Sequence, residues 1–295
     1  MTKEFRDQIR VAIVKNKDKY PSISDAKYAK MLGISPSIYS RLKNGETERI
    51  VSDNFWLENG QRLQVGIVSN EMKFAETTVY VEIKNSIEFC KENSKAIVMV
   101  DNNGIGKTRC AKRVLRNLRN SFYIDCSQAR TKTEFIRYFA KTVGIDNTGR
   151  LIDVKNALKY HLYHLGKAVV VLDDFGYVNM TNSISNVLLE LMEIYNYTEK
   201  KVGWLMIGDY SLEEKLSKGV RTKKTAFKAL YDRFTSEFVH FAPTRVEDKQ
   251  AFYKQLIGDV ASVNVNNKAL VNKMVTKCLG QEKTLRYLET LIMNN

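Results

Sequence analysis

Runs of β-branched and other apolar residues alternate with helix-length segments through the middle of the chain. These runs cover residues 96–100, 121–125, 168–172, 202–207 and 237–241. Mostly continuous apolar runs indicate parallel strands that are buried on both faces. We therefore predict an α/β fold with a parallel sheet. Ligands bind beyond the carboxyl ends of such strands, and polar residues follow several of these runs.

A glycine-containing loop follows the first predicted strand. The sequence Gly104-Ile105-Gly106-Lys107-Thr108 lies between that strand and a helix predicted over 109–120, the context that a phosphate-binding P-loop requires. Its glycines allow backbone N–H groups to face the phosphates of ATP. Lys107 is expected to reach the β- and γ-phosphates, and Thr108 to bind Mg²⁺ through its hydroxyl. The predicted nucleotide-binding residues are Asn103, Gly104, Ile105, Gly106, Lys107, Thr108 and Arg109.

The loop departs from the usual P-loop pattern at its first position. A glycine is usual there, and this chain has Asp101. Aspartate tolerates unusual backbone angles better than most residues, so we expect the turn to survive. A carboxylate close to phosphates is unfavourable, so the side chain of Asp101 must point away from them.

Two adjacent acids end the third predicted strand. Asp173 is expected to bind Mg²⁺ together with Thr108, as an acid from the next-door strand, and Asp174 to orient or deprotonate the attacking water. The alternative is that the acids cap a helix. Glutamate is usual at the second position, and the shorter aspartate predicts slow hydrolysis, which suits a switch.

The charge of the chain is compatible with nucleic acid as a partner and equally with a solvated surface, so the placement of the basic residues has to decide. Its 47 Lys and Arg residues against 33 Asp and Glu residues leave a net charge of +14. The best candidate contacts follow the second strand and suit phosphate groups: Arg130, Thr131, Lys132 and Thr133. The same threonines are also suited to cap a helix. Two further basic clusters, at 109–119 and 221–224, are also candidates. For the first, a solvated face is the commoner explanation.

The N-terminal 65 residues predict a separate helical domain. One short helix spans 26–32, Gly33 ends it, and Ser35 and Pro36 begin another. Two short helices around a glycine-containing turn are typical of helix-turn-helix domains. This segment resembles the Cro/repressor-like family, which implies that Ser35, Ser37, Ser40, Arg41 and Lys43 face DNA. A helical protein-interaction domain is the alternative.

The chain lacks features of a secreted or membrane protein. Its four cysteines are scattered, its N-terminus is charged, and no apolar run approaches the ~18–20 residues of a membrane span. We therefore expect reduced thiols, no membrane and a cytoplasmic location.

Together these motifs resemble the AAA+ ATPases over about residues 75–295. The resemblance implies a small helix-turn-helix domain at 1–65, a P-loop core at 66–242 and a helical lid at 243–295. It implies that Asp209 senses the γ-phosphate, that Arg233 is an arginine finger for a neighbouring subunit, and that Lys283 opens the lid helix as sensor two. Arg286 is the fallback for the last role.

Within that superfamily the domain order is similar to the phage Mu transposition protein B group. This resemblance implies a homo-oligomer that forms an ATP-dependent helical filament on double-stranded DNA and delivers that DNA to a transposase. A replication-initiator or helicase-loader ATPase is one alternative. A DNA-binding regulator that hydrolyses little ATP is another.

Overall fold

The computed structural model describes residues 2–19, 23–63, 65, 72–180, 186–234, 237–280 and 284–294. The chain divides into two compact units, Met1–Met72 and Lys73–Asn295. The division lies a few residues beyond the boundary predicted near residue 65.

Among its described residues, the N-terminal unit contains four α-helices around one apolar core. They are α1 (Lys3–Asn16), α2 (Asp25–Met31), α3 (Pro36–Lys43) and α4 (Asp53–Leu63). Ser35 caps α3 by accepting a hydrogen bond from the N–H of Ile38 at 3.3 Å, and Pro36 occupies the first helical position. Trp56 of α4 is 1% exposed, so the segment after residue 46 contributes to the core.

The turn between α2 and α3 has the geometry that its sequence predicts. Gly33 adopts φ +73°, a conformation that favours glycine. The basic residues of α3, however, have acidic partners: Lys43 pairs with Asp25 at 2.8 Å, and Arg41 pairs with Glu46 at 2.7 Å. No acidic residue lies between Ala29 and Asn44, and both acids lie just outside this stretch. The positive charge of α3 is therefore partly compensated.

The second unit contains five strands and ten α-helices among its described residues. The strands are β1 (Ala96–Val100), β2 (Ser121–Asp125), β3 (Ala168–Asp173), β4 (Val202–Gly208) and β5 (Phe238–Val239). The helices are α5 (Thr78–Asn93), α6 (Lys107–Leu115), α7 (Lys132–Val143), α8 (Leu151–His164), α9 (Val187–Tyr197), α10 (Tyr210–Arg221), α11 (Thr225–Arg233), α12 (Val246–Asn264), α13 (Lys268–Gly280) and α14 (Leu285–Met293).

All five strands pair in parallel, in the order β2-β3-β4-β1-β5. The predicted α/β fold with a parallel sheet is therefore confirmed. The expectation that the acid beside the P-loop comes from the next-door strand is wrong, since β4 lies between β1 and β3. The runs of apolar residues in these strands do not encode which strands become neighbours.

Helices cover both faces of the sheet and bury its side chains alternately. Val98, Val170 and Trp204 face the core formed with α7 to α11, while Met99 and Val171 face the core formed with α5, α6 and α12. This two-sided burial explains why β1, β3 and β4 are apolar at successive positions.

Two elements are shorter than the sequence predicts. Helix α6 ends at Leu115 and not at 120. The carbonyls of Leu115 and Leu118 accept hydrogen bonds from the hydroxyl of Ser121, which takes the place of backbone N–H donors from a further helical turn. Strand β5 retains only Phe238 and Val239 of the predicted run 237–241. The residues after it bond to the P-loop, as described below.

All four cysteines are buried and free. Burial raises the pKa of the Cys90 and Cys110 thiols to about 12, which makes them unreactive near neutral pH. Within the described ranges, no helix combines the length and the apolar character needed to cross a membrane.

Gly203 of β4 offers a test of the packing between the sheet and α5. A Cβ atom at this position would lie 2.1 Å from the carbonyl oxygen of Cys90, a backbone atom that cannot rotate away. We expect Gly203→Ala to lower the free energy of unfolding by about 3 kcal/mol or more, measured by urea denaturation.

Gly258 of α12 provides the matched control, since a Cβ there meets no atom within 4 Å. Gly258→Ala should raise the free energy of unfolding by about 1 kcal/mol because alanine favours the helix. Equal effects of the two substitutions would contradict the packing described for β4.

Candidate nucleotide-binding site

The loop between β1 and α6 has the backbone shape of a phosphate cradle. Gly104 and Gly106 adopt φ +81° and +94°, and Asp101 has no positive φ, so the glycines alone provide the left-handed positions of the turn. Ile105 is fully buried and anchors the loop in the apolar core. Gly106 precedes α6 and provides no side-chain cap, which leaves the first N–H groups of the helix for an anion.

Lys107 is held inside this loop. Its Nζ donates hydrogen bonds to the carbonyl oxygens of Asp101 at 2.7 Å and Asn102 at 2.8 Å, and the residue is 8% exposed. Burial lowers the pKa of Lys107, while the nearby carboxylates of Asp101 and Asp173 oppose that shift. A cation enclosed by main-chain carbonyls is suited to bind the phosphates of a nucleotide.

Thr108 and Asp173 meet at the carboxyl edge of the sheet. The Thr108 hydroxyl donates a hydrogen bond to Oδ2 of Asp173 at 2.6 Å, although the two residues are far apart in sequence. The hydroxyl oxygen keeps lone pairs for a metal, and the carboxylate is a hard oxygen ligand of the kind that Mg²⁺ prefers. The donor set therefore fits Mg²⁺ held by Thr108 and Asp173 together with nucleotide phosphates.

Asp174 follows with an unusual backbone conformation. It adopts φ +54°, and its N–H donates to Oδ1 of Asp173 at 3.0 Å. Burial and the neighbouring carboxylate of Asp173 raise the pKa of Asp174. Backbone strain and a raised pKa are common in acids that accept protons at functional sites.

Asp209 connects the end of β4 to the P-loop. Its Oδ2 accepts a hydrogen bond from the side-chain amide of Asn103 at 3.0 Å, and its Oδ1 caps α10 by accepting from Ser211. Burial raises the pKa of Asp209, but these hydrogen bonds outweigh burial and hold that pKa below its usual range. Two residues predicted separately, Asn103 and Asp209, are thus in direct contact.

Asp101 points away from the phosphate loop, as the sequence required. It is fully buried, and its Oδ2 accepts hydrogen bonds from the N–H groups of Phe241 at 3.0 Å and Ala242 at 2.7 Å. Its Oδ1 accepts from the N–H of Asn102 at 2.6 Å. Phe241 and Ala242 connect β5 to α12, so the residue that replaces the usual glycine links the P-loop to the start of α12, the first helix of the predicted lid.

Two further parts of the lid contact the same loop. The side chain of Asn102 donates to the hydroxyl of Tyr253 in α12 at 2.7 Å, and the N–H of Leu285 in α14 donates to the carbonyl of Gly104 at 3.0 Å. Arg286 lies beside Gly104, with its Cγ 3.6 Å from the position of a Cβ there. Lys283, predicted as sensor two, lies outside the described residues, whereas its fallback Arg286 lies at the loop.

The arginine-finger candidate lies apart from this loop. Arg233 ends α11, is exposed, and donates hydrogen bonds to the side chain of Asn196 and the carbonyl of Ala229. Its proposed role concerns a neighbouring subunit, so it stays a prediction. Arg109 lies in the first turn of α6 and is partly buried.

The predicted DNA-contact loop forms the start of α7. Thr131 caps this helix in a reciprocal arrangement with Glu134, and Thr133 is exposed. Arg130 is exposed and lies over the ring of Tyr177 at 5.7 Å. Lys132 pairs with Glu190 at 3.1 Å. Arg130 and Thr133 are therefore the most accessible of the four. Thr131 has the capping role that the sequence suggested as an alternative.

Sequence analysis did not identify Tyr123 as part of the site. This residue of β2 donates a hydrogen bond from its hydroxyl to Oδ2 of Asp173 at 2.6 Å. The available signal was a tyrosine at the third position of a strand that ends at the same edge as β3. A strand tyrosine is more often part of a core, so the pattern alone does not distinguish the two roles.

Comparisons with known proteins agree with this geometry. Residues 91–216 match a family described as AAA domain, a range that includes the P-loop, Asp173, Asp174 and Asp209. This match agrees with the resemblance to AAA+ ATPases that the motifs predict. No curated protein sequence matches the chain significantly.

Similar solved structures include the ORC2 protein of Aeropyrum pernix, in ADPNP–ADP complexes, with 16% identity and a TM-score of 0.47 over 66% of this chain and 55% of that chain. Cdc6p of Pyrobaculum aerophilum has 10% identity and a TM-score of 0.43 over 74% and 65%. A Walker-type ATPase of Pyrococcus abyssi has 14% identity and a TM-score of 0.41 over 72% and 75%. The chain thus spans about half the length of the first of these proteins.

The buried carboxylate of Asp101 generates a prediction about the lid. In Asp101→Asn the N–H groups of Phe241 and Ala242 lose a charged acceptor, so the free energy of unfolding should fall by about 1.5–3 kcal/mol. Amide hydrogen exchange at these two residues should accelerate, as measured by nuclear magnetic resonance or mass spectrometry.

Asp232→Asn is the matched control, because Asp232 is an exposed aspartate in α11. It should leave both stability and exchange unchanged. If Phe241 and Ala242 exchanged at the wild-type rate in Asp101→Asn, the link between the P-loop and the lid would be disproved.

Proposed function

We propose that the protein is a Mg²⁺-dependent ATPase that couples its nucleotide state to binding of double-stranded DNA. One observation carries the ATPase part of this proposal. Thr108 at the start of α6 and Asp173 at the end of β3 share a hydrogen bond of 2.6 Å beside a glycine loop that encloses Lys107. The AAA domain match over residues 91–216 supports the same conclusion.

In this proposal each residue of the site has a separate task in hydrolysis. The N–H groups of the loop and Lys107 bind the β- and γ-phosphates, and Thr108 and Asp173 hold Mg²⁺, which neutralises charge on those phosphates. Asp174 orients the attacking water and accepts its proton, a role that its raised pKa suits. Asp209 reaches the loop through Asn103 and responds to the γ-phosphate.

The DNA part of the proposal depends on charge and exposure. A net charge of +14 attracts a polyanion, and the exposed guanidinium of Arg130 lies at the end of the loop that follows β2. Arg130 with the hydroxyl of Thr133 suits contacts to phosphate without reading bases. Binding of this kind is largely independent of sequence and weakens as salt is added.

A more specific role in transposition is proposed from the sequence resemblance. In that role ATP-bound subunits assemble head to tail on duplex DNA, Arg233 completes the site of a neighbouring subunit, and the filament delivers the DNA to a transposase. The alternative is a replication-initiator or helicase-loader ATPase. Electron microscopy with ATP, Mg²⁺ and random duplex distinguishes them, because continuous filaments on arbitrary DNA favour the transposition role, and their absence favours the alternative.

The coupling of ATP to DNA is tested by two substitutions. Lys107→Ala removes the cation of the loop, so ATP binding should be lost and DNA binding should no longer respond to ATP. Replacement of Arg130 and Lys132 by alanine should weaken duplex binding by roughly tenfold and spare ATP binding, since each lost phosphate contact removes an electrostatic contribution. Fluorescence anisotropy with labelled duplex and calorimetry with ATP measure the two affinities.

Lys228→Ala serves as the control, because it removes one exposed positive charge from α11. It should change duplex affinity by less than the double substitution. Unchanged ATP binding in a folded Lys107→Ala protein would refute the nucleotide site. Unchanged DNA affinity in the double variant would remove the loop after β2 from the interface.

Asp174→Asn tests the proton acceptor. The rate of ATP hydrolysis should fall by about 10²–10⁴-fold while ATP binding persists, because the amide cannot accept the proton. The raised pKa also means that ionised Asp174 disfavours the folded state, so the variant should unfold at a higher temperature than wild type at neutral pH.

This difference in unfolding temperature should narrow as the pH falls through the raised pKa of Asp174, since the wild-type carboxyl then becomes neutral. Asparagine tolerates the left-handed backbone of this position, so the fold should be kept. Phosphate release at the wild-type rate would exclude Asp174 as the base.

A further inference from the structure

The carboxylate of Asp173 is held by three donors, and one of them has no part in the motifs above. Its Oδ1 accepts the N–H of Asp174 at 3.0 Å. Its Oδ2 accepts the hydroxyls of Thr108 and Tyr123, each at 2.6 Å. Two hydroxyls from different elements, α6 and β2, therefore converge on a single oxygen of a residue that is 2% exposed.

The hydroxyl of Tyr123 is held in this position from several sides. Tyr123 pairs with Val171 in the register between β2 and β3, which sets its height along the sheet beside Asp173. Its ring packs against the apolar core shared with α6, and Nζ of Lys112 lies over the ring at 4.7 Å from the centroid. The ring therefore has little freedom to move away from Asp173.

In this contact Tyr123 is the hydrogen-bond donor, because a carboxylate oxygen can only accept. A free phenol titrates at a pH of about 10, so it carries its proton throughout the physiological pH range. A protonated phenol donates to the carboxylate and does not compete with it as an anionic metal ligand.

A carboxylate that binds a metal depends on such outer partners. Hydrogen bonds to a ligating carboxylate fix its orientation, and their loss typically lowers metal affinity by about 10–100-fold. Thr108 is itself a predicted ligand, so Tyr123 is the partner of Asp173 whose only role is to orient it. In the proposed function the loop amides and Lys107 bind the triphosphate, and Tyr123 has no part in that binding.

We propose that Tyr123 is a positioning residue for the Mg²⁺ site, and that its hydroxyl holds Asp173 in the orientation that binds the metal. The inference rests on the proposed function, since it deepens the role given to Asp173 there. It separates two contributions to nucleotide binding. The Mg²⁺-dependent part requires Tyr123, and the Mg²⁺-independent part does not.

Calorimetry with ATP tests this separation in the full chain. ATP affinity is measured in EDTA and over a series of Mg²⁺ concentrations for wild type and Tyr123→Phe. We expect the Mg²⁺ concentration that gives half of the gain in affinity to rise by roughly tenfold or more in the variant. Affinity in EDTA should stay within about twofold of wild type, which also shows that the variant is folded, since it loses one oxygen and keeps the packed ring.

Tyr231→Phe is the matched control, because Tyr231 packs its ring against Phe238, away from the carboxylates. It should reproduce the wild-type Mg²⁺ dependence. A second control combines Tyr123→Phe with Asp173→Asn. Once the carboxylate is gone, removal of the hydroxyl should cause no further change in Mg²⁺ dependence.

The outcomes distinguish this inference from the proposed function. If wild type bound no ATP with or without Mg²⁺, the proposed function itself would fail. If wild type bound ATP more tightly with Mg²⁺ and Tyr123→Phe showed the same Mg²⁺ dependence, only the role of Tyr123 would be overturned. The role of Tyr123 would also be overturned if wild type bound ATP equally well in EDTA and in Mg²⁺. It would be overturned as well if Tyr123→Phe lost as much ATP affinity in EDTA as in Mg²⁺.

Discussion

The parallel pairing of β1, β4 and β3 is the constraint on which the rest of the site depends. Parallel strands end at one edge of the sheet, so residues that follow different strands meet there although long stretches of chain separate them. In this order Thr108 follows β1, Asp209 follows β4, and Asp173 ends β3. The hydrogen bond between Thr108 and Asp173 joins the start of α6 to the end of β3, although β4 lies between β1 and β3. Tyr123 of β2, on the other side of β3, donates a second hydrogen bond to Asp173.

The loop that is proposed to bind the nucleotide is also bonded to the C-terminal helices of the predicted lid. Asp101 accepts hydrogen bonds from the segment that leads into α12, and Gly104 accepts one from the first residue of α14. A carboxylate that is repelled by phosphate is thereby turned inward, where buried N–H groups need an acceptor. Compared with the usual glycine, Asp101 has less backbone freedom, but its side chain connects the P-loop to the segment before α12.

The net charge of the chain overstates how many basic side chains are available to a partner. Lys43 and Arg41 in the N-terminal unit, and Lys132 in the second unit, each have an acidic partner within 3.1 Å. The pairs of Lys43 and Arg41 are exposed, and exposed pairs contribute little to stability. The pair of Lys132 is partly buried, because Glu190 is buried. Charge therefore indicates the class of partner, while the structure shows that Arg130 is among the accessible candidates.

The sequence by itself determined the features that depend on near neighbours. These are the strands of the sheet, the glycines of the P-loop, and the cap at Ser35, because apolar runs, backbone freedom and helix capping act over a few residues. Only the tertiary structure decided the order of the strands, the partners of Asp101 and the contact between Tyr123 and Asp173. The partners of Asp101 are 140 and 141 residues away, and Tyr123 is 50 residues from Asp173. A local sequence pattern does not predict contacts between residues that are so far apart in sequence. The packing of helices on both faces of the sheet selects the strand order, and the strand order determines which residues meet at the edge.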